Sequence, residues 1–236
     1  MTSGASRPFR FADGGTRAAL LALLVGCTVA AARAQSDIHT HLFAGASAAM
    51  TRARQANADL LAPQTFERGT DAYATAEDLF DRHRPVDAIR EQLLLASTAF
   101  GEALDAARTA QTGFASVLQA RADAMSAGAP RASAKLWVQA ESKLRSAASL
   151  LENGKASDAR ADAGEAQGMY RSSELEAIKE TLLGPAGELL ARADAMNAAS
   201  NAPETYDRAV QLLDQAETQI RQNRYDLTEA RRLAGE

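Results

Sequence analysis

The feature that most constrains the fold of this chain is an internal repeat. The stretch Ala-Arg-Ala-Asp-Ala-Met at 120–125 returns at 191–196, 71 residues later. A fainter first copy lies at 53–59, and each copy leads into an Ala-Pro pair: Ala62-Pro63, Ala129-Pro130 and Ala202-Pro203. Self-similarity at such a period is typical of chains that stack one supersecondary unit several times. The sequence therefore predicts three units, at 62–128, 129–201 and 202–236, after a linker or helix at 35–61.

The residues that build these units favour α-helices. Of the 236 residues 46% are hydrophobic, but 55 residues are alanine, so bulky apolar side chains are scarce. Alanine has the highest intrinsic helix propensity. Aromatic residues make up only 5% of the chain, and there are 15 glycines and 6 prolines, which argues against a β-sandwich, a collagen-like chain or a disordered tail. The prediction is an all-α protein.

Each unit is predicted to begin with a helix at its Ala-Pro pair, because proline suits the first helical turn. The Ala-Glu pairs ending at Glu77, Glu141 and Glu217 set the register within this helix. A large apolar residue stands four positions before each glutamate and another three after it: Tyr73 and Phe80, Trp137 and Leu144, Leu213 and Ile220. Phe66 and Tyr206 extend the stripe by one heptad. Such a narrow apolar seam is typical of coiled coils.

A longer second helix is predicted to begin near Asp87, Ser157-Asp158 and Asp226, where the preceding helix has ended at His83, Asn153 or Asn223. Its apolar face is mostly alanine, which lets helix axes approach closely. In the first unit this face reads Ile89, Leu93, Ala96, Phe100, Ala103, Leu104 and Ala107, and in the second Ala159, Ala163, Ala166, Tyr170, Leu175, Ile178 and Leu182. Gly113 and Gly184 occupy matching places, so a kink is expected at each, with a full restart of the helix at Pro185 as an alternative.

These patterns together predict repeated antiparallel helical hairpins that form a coiled-coil-like, elongated bundle. If the long helix stays nearly straight, each unit is displaced along one axis and the molecule is a staggered rod. If the glycines break it, each unit instead folds into a compact three-helix bundle. The third unit is shorter than the others, and the expectation is that the natural chain continues past Glu236.

The N-terminus has the layout of a secretory signal peptide. Arg7, Arg10 and Arg17 precede an apolar run at 18–32, which closes on the small-residue pattern Ala32-Arg33-Ala34. This run is too short to span a bilayer. Within it, Leu24-Val25-Gly26-Cys27 resembles the lipobox of bacterial lipoproteins, in which Cys27 would be lipidated and become the first mature residue. The alternatives are therefore a signal peptide at 1–34 or a lipoprotein signal at 1–26.

Charge and cysteine content narrow the classes of function. The chain carries 26 basic and 30 acidic residues, and removing residues 1–34 leaves 26 − 4 = 22 and 30 − 1 = 29, a net charge near −7. Nucleic acid is therefore an unsuited partner. Cys27 is the only cysteine, so an internal disulfide is excluded and the mature domain must be held together by packing.

No catalytic signature appears in the sequence, which contains no P-loop, dinucleotide-binding, zincin or hydrolase motif. His39 and His41 would share one face only on an extended strand, where they would form at most a weak metal site. His83 is interpreted as a cation at a helix C-terminus. The seam aromatics are interpreted as core rather than as a ligand cage, and the many carboxylates as solvated surface. The prediction is a protein that is not an enzyme and has no metal site or cofactor.

Several short motifs resemble the α-helical region found ahead of OmpA-like peptidoglycan-binding domains in Gram-negative envelope proteins. They are Leu61-Ala62-Pro63-x-Thr65-Phe66, Trp137-x3-Glu141, Tyr170-Arg171-x2-Glu174-Leu175-x-Ala177-Ile178-Lys179, and Asn223-Arg224-Tyr225-Asp226. The resemblance covers most of the mature chain but not a cell-wall-binding domain, so cell-wall binding is assigned to no residue here.

The resemblance implies a periplasmic structural or interaction protein, with a lipid anchor in the outer membrane if Cys27 is modified. It would act as a helical spacer or docking module between outer membrane and cell wall, with a protein or the wall itself as partner. The alternative hypothesis is a periplasmic helical-repeat module that binds a peptide or protein in a groove. Neither hypothesis includes nucleic acid among the partners.

Overall fold

The computed structural model describes residues 37–236, which form eleven α-helices and, within that range, no strand. The prediction of an all-α fold is confirmed. In chain order the helices are α1 (37–55), α2 (Ala58–Leu61), α3 (Pro63–Asp81), α4 (Val86–Gly113), α5 (Ala115–Ser126), α6 (Ala129–Ala132), α7 (Ala134–Glu152), α8 (Ala156–Ala195), α9 (Ala198–Asn201), α10 (Pro203–Gln222) and α11 (Thr228–Gly235).

One connection recurs three times and explains why the chain turns where it does. After α1, α5 and α8 the backbone passes through a left-handed residue at Asn57, Gly128 or Asn197, with φ of 55°, 84° and 58°. Asparagine and glycine are the residues that adopt this conformation at least cost. A single helical turn follows, formed by α2, α6 or α9, before the next short helix begins. These three left-handed residues mark structurally equivalent points of the chain.

The first bundle consists of α1, α3 and α4. Phe43 of α1 packs edge-on against Tyr73 and Phe80 of α3, with ring centroids 5.5 and 5.8 Å apart. The α4 face predicted from the sequence is buried at Ile89, Leu93 and Phe100, among other residues. The pairing of α3 with α4 places alanine against alanine over most of its length, which brings the two helices close together.

Each later bundle takes over the far half of the preceding long helix. In the second bundle α5 packs against α8 beside α7, and in the third the C-terminal part of α8 packs against α10 and α11. One hydrophobic cluster runs from Phe43 to Ala177 through the first two bundles. A second cluster, including Leu183, Leu212, Ile220 and Leu233, belongs to the third. The 40-residue helix α8 therefore serves two bundles along a length of about 60 Å.

The structure corrects two expectations about the long helices. At the first predicted kink, α4 ends at Gly113 and α5 begins at Ala115, so the helix is interrupted at Phe114. At the second, α8 continues through Pro185 without the restart that was proposed as an alternative. Proline inside a helix removes one backbone hydrogen bond. Packing of Leu182 and Leu183 with the third core holds α8 on both sides of that position.

The predicted helix starts are correct for the first and third units and wrong for the second. Pro63 and Pro203 begin α3 and α10, whereas Pro130 lies in the one-turn helix α6 and the equivalent long helix begins at Ala134. The register based on Glu141 is therefore one heptad out. Trp137 is equivalent to Phe66 and Tyr206, since each lies three residues after its helix start.

The repeated Ala-Arg-Ala-Asp-Ala stretch also plays different roles in its two copies. Ala120 and Ala124 are fully buried in α5, whereas Ala191 and Ala195 are exposed in α8. Equivalent positions of these helices are 69 residues apart, the separation of Gly128 from Asn197, and not 71. A difference of two residues rotates the stretch by about 200° around a helix. The sequence repeat and the structural repeat are thus out of phase here.

Candidate interaction site

A polar cluster lies in the second bundle, where α5, α7 and α8 meet. The hydroxyl of buried Tyr170 donates a hydrogen bond to Oε1 of Glu141 at 2.6 Å. Arg121 donates to both oxygens of the same carboxylate, from Nε at 2.6 Å and from Nη2 at 3.2 Å. Such a bidentate pair fixes orientation as well as distance. The side chain of Arg121 also lies over the ring of Trp137, 5.6 Å from its centroid.

Burial and the adjacent Glu141 carboxylate both raise the pKa of Tyr170 well above its ordinary value of 10.0. The phenol is therefore a neutral donor at any physiological pH, unsuited to act as a base. Trp137 packs edge-on against it, with ring centroids 5.3 Å apart. This cluster joins three helices and leaves no reactive group at its centre.

A second set of charges continues from it towards the third bundle. Nη1 of Arg171 donates to Asp123 at 2.6 Å and to Glu174 at 3.2 Å. Nη1 of Arg224 donates to the same Glu174 oxygen at 3.2 Å and to the Arg171 carbonyl at 2.6 Å. Tyr225 accepts a further hydrogen bond from Arg171 at 2.9 Å. We call these five residues the junction network.

Glu174 is the buried member of the junction network, with only 3% of its side chain exposed. Two arginines from different parts of the chain compensate its charge, which burial would otherwise make costly. The hydrogen bond from Arg171 is the main cause that lowers the pKa of Asp123 below its ordinary value of 3.8. The network thus requires ionised carboxylates on α5 and α8.

The loop between α10 and α11 is shaped to deliver Arg224 and Tyr225 to this network. Oδ1 of Asn223 accepts a hydrogen bond from the backbone N–H of Tyr225 at 3.2 Å, and Oδ1 of Asp226 accepts one from Thr228 at 3.2 Å. Side chains of this kind stabilise turns and helix starts. The ring of Tyr225 is nevertheless 71% exposed, so it offers an aromatic face to the surroundings.

Sequence reasoning singled out most of these residues without predicting that they meet. Tyr170, Arg171 and Glu174 belonged to one quoted motif, Arg224 and Tyr225 to another, and the fold brings the two motifs together. Asp123 was recognised only as part of the repeat. The spacing of Arg171 and Glu174, three apart on a helix, was the one local signal of an ion pair.

The three histidines do not converge. His39 stacks on Phe43 with centroids 4.0 Å apart and contacts Phe80 edge-on. His41 lies on the same helix rather than on a strand, two residues away, and lines an open cleft with Val86 and Arg90. His83 ends α3 with a positive φ of 54°. Its Nδ1 lies 3.3 Å from the carbonyl oxygen of Phe80.

The candidate lipidation residue Cys27 lies outside the described residues. Within residues 37–236, no group of three or more histidine, cysteine or acidic side chains is arranged to hold a metal ion. Over that same range, no helix combines the length and apolarity needed to cross a membrane. The polar side chains gathered here bind one another, and the arrangement connects helices.

Comparison with known proteins adds no relative to this picture. No family model, no curated protein and no solved structure matches the chain.

Proposed function

We propose that this protein is a secreted, periplasmic component of the cell envelope that acts as a helical spacer or docking module between outer membrane and cell wall. The observation that carries the proposal is the sharing of α8 between two bundles. A chain built in this way extends with each added bundle instead of growing around one core. Its partner would be a protein or the cell wall, and Cys27 would supply a lipid anchor if the lipobox is used.

The polar clusters support a mechanical rather than a chemical role. Glu141 and Glu174 each receive hydrogen bonds from side chains on two or more segments of the chain. Charges paired across helices resist sliding of one alanine face over another, because alanine surfaces offer little interlocking of their own. A spacer needs this resistance, since it must keep its length under load.

Export is the part of the proposal that one experiment tests most simply. The full chain with a C-terminal tag is expressed in a Gram-negative host, fractionated, and its intact mass measured. We expect envelope-associated protein that begins at Gln35, or at a lipidated Cys27 whose added mass disappears in Cys27→Ser. Unprocessed chain found in the cytoplasm alone would contradict both.

The second candidate function is a helical-repeat module that binds a partner in a groove. A cleft of about 300 Å³ between α8 and α10 in the third bundle favours it. The spacer and the groove are compatible, since a spacer needs a surface at which to hold its partner.

A further inference from the structure

An apolar groove runs along the third bundle, between the C-terminal part of α8 and α10. Its walls include Ala186, Leu189, Leu190 and Ala193 of α8 and Leu212 and Leu213 of α10. The last residues of α11 lie at one end, where Leu233 is buried in the third core. The groove is therefore continuous with the interface that α11 already makes with α10 and α8.

The corresponding groove of the second bundle is filled by a helix. There the N-terminal part of α8 lies against α5 and α7 and presents Ala163, Ala166 and Tyr170 to them. Positions of the two bundles correspond at an offset of 69 residues, because Phe114, Val117 and Ala124 of α5 match Leu183, Ala186 and Ala193 of α8 in facing their bundle. The second bundle therefore provides a picture of the third with its groove occupied.

Burial at equivalent positions shows what occupation changes. Ala120 is fully buried beneath α8, whereas its equivalent Leu189 is 60% exposed. Ala140 of α7 is likewise fully buried, whereas its equivalent Ala209 on α10 is exposed. Leucine replaces alanine at the more exposed site, which increases the apolar area offered to a partner.

We infer that this groove binds an amphipathic α-helix with a small-residue stripe, supplied by a partner protein. The helix lies in the groove along the line of α11 and contacts Leu189 on one wall and Leu212 on the other. Alanine and an occasional aromatic residue form its buried stripe, as in the helix that fills the second bundle. This recognition mode uses side chains spaced three and four residues apart along the bound helix.

Charge at the rim specifies the partner further. Asp123 lies at the rim of the filled groove and pairs with Arg171 of the helix that fills it. Its equivalent on the third bundle is Arg192, which is exposed and makes no salt bridge within the described part of the chain. The sign of the rim charge is thus reversed, and the bound helix carries an acidic residue where α8 carries Arg171.

A peptide with the sequence of residues 159–178 provides a probe, because this segment fills the second groove. Fluorescently labelled peptide is titrated with the protein and followed by anisotropy. We expect saturable binding that is lost when the peptide carries Ala166→Glu. Leu189→Arg in the protein should abolish binding without changing the thermal midpoint. Leu94→Arg, at a leucine of α4 that is 68% exposed, is the matched control and should bind normally.

The rim charge gives a sharper second test. The peptide with Arg171→Glu is expected to bind roughly two- to fivefold more tightly than the unmodified one, the range of an exposed ion pair. Arg192→Glu in the protein should reverse this order. Equal affinity of both peptides for both proteins would overturn the assignment of the rim.

Absence of saturable binding by either peptide would overturn the groove proposal. So would a concentration-dependent dimer that Leu189→Arg dissociates, because the groove would then belong to a second copy of this chain. The inference rests on the proposed docking role for its biological setting. Its readout is binding by purified protein, whereas the proposed function is tested by export, so one can fail without the other.

Discussion

The two junctions between bundles solve the same problem in different ways. Between the first and second bundles the long helix is interrupted at Phe114, and one hydrophobic cluster spans the junction. Between the second and third bundles α8 is uninterrupted, and the hydrophobic clusters on its two sides are separate. The first junction is held by a merged core, whereas the second is held by a continuous helix and the junction network.

The polar contacts differ in the same sense. At the first junction Glu152 of α7 accepts hydrogen bonds from the backbone N–H groups of Gln64 and Thr65, at 3.0 and 2.9 Å. A carboxylate from one bundle thus caps the first turn of a helix in another, where the helix dipole favours negative charge. At the second junction Lys179 of α8 binds Glu217 of α10 at 2.5 Å. The comparison teaches that alanine-rich bundles, with little interlocking surface, rely on directional polar contacts at their borders.

The largest expected effect is loss of the second bundle, on which both junctions depend. Trp137→Ala should lower the free energy of unfolding by about 3 kcal/mol, because the indole packs on Tyr170 and under Arg121. Chemical denaturation measures this loss. Val138→Ala is the matched control, since Val138 is the next residue and is 64% exposed. Equal stability of both variants would remove Trp137 from the core.

Glu174→Gln should weaken the second junction alone. Loss of the buried charge leaves Arg171 and Arg224 without their shared partner and should cost about 2 kcal/mol. We expect faster hydrogen exchange in α10 and α11 and unchanged exchange in α1, α3 and α4. Glu176→Gln, on the exposed side of α8, should leave all of these segments unchanged. Faster exchange in the first bundle would show that the junctions are coupled.

Glu152→Gln should weaken the first junction by about 1 kcal/mol, the usual scale of a helix cap. Exchange should increase at the start of α3 and not in α10. The neutral amide still offers one oxygen, so the effect is smaller than at Glu174. Glu91→Gln on the exposed side of α4 serves as control. An effect confined to the third bundle would contradict the assignment of Glu152 to the first junction.

Acidification is expected to act first on the second junction, with the smallest effect. Arg171 lowers the pKa of Asp123, and Lys179 lowers that of Glu217. Groups with a depressed folded-state pKa stabilise the fold above their ordinary values of 3.8 and 4.5 and lose this contribution as the pH falls through the folded value. Exchange in α10 should therefore increase below about pH 4, and Asp123→Asn should weaken this dependence. A third bundle that exchanges equally at pH 3 and pH 7 would contradict this prediction.

The sequence was sufficient for the features that depend on local periodicity. Alanine content and heptad spacing predicted the helices, and Pro63, Pro203 and Gly154 marked their ends as expected. The register of the second unit failed because Pro130 starts only a single turn, and local signals cannot distinguish one turn from a full helix.

Features that depend on packing were out of reach of the sequence. The phase of the repeated alanine stretch depends on which partner helix covers it, and a shift of two residues exchanges its buried and exposed faces. The junction network joins residues up to 54 positions apart, so no spacing rule brings Arg171 and Tyr225 together. Persistence of α8 through Pro185 likewise depends on packing with α10.

The central claim is that α8 runs unbroken from the second bundle into the third, and a distance measurement tests it most directly. Spin labels at Arg160→Cys and Ala195→Cys, both exposed, are introduced into the chain with Cys27→Ser and measured by pulsed dipolar spectroscopy. An unbroken helix separates these positions by about 52 Å, at 1.5 Å per residue. We expect a single narrow distribution near that value. A helix that restarts at Pro185 and folds back would give about 25 Å, and that result would contradict the shared helix.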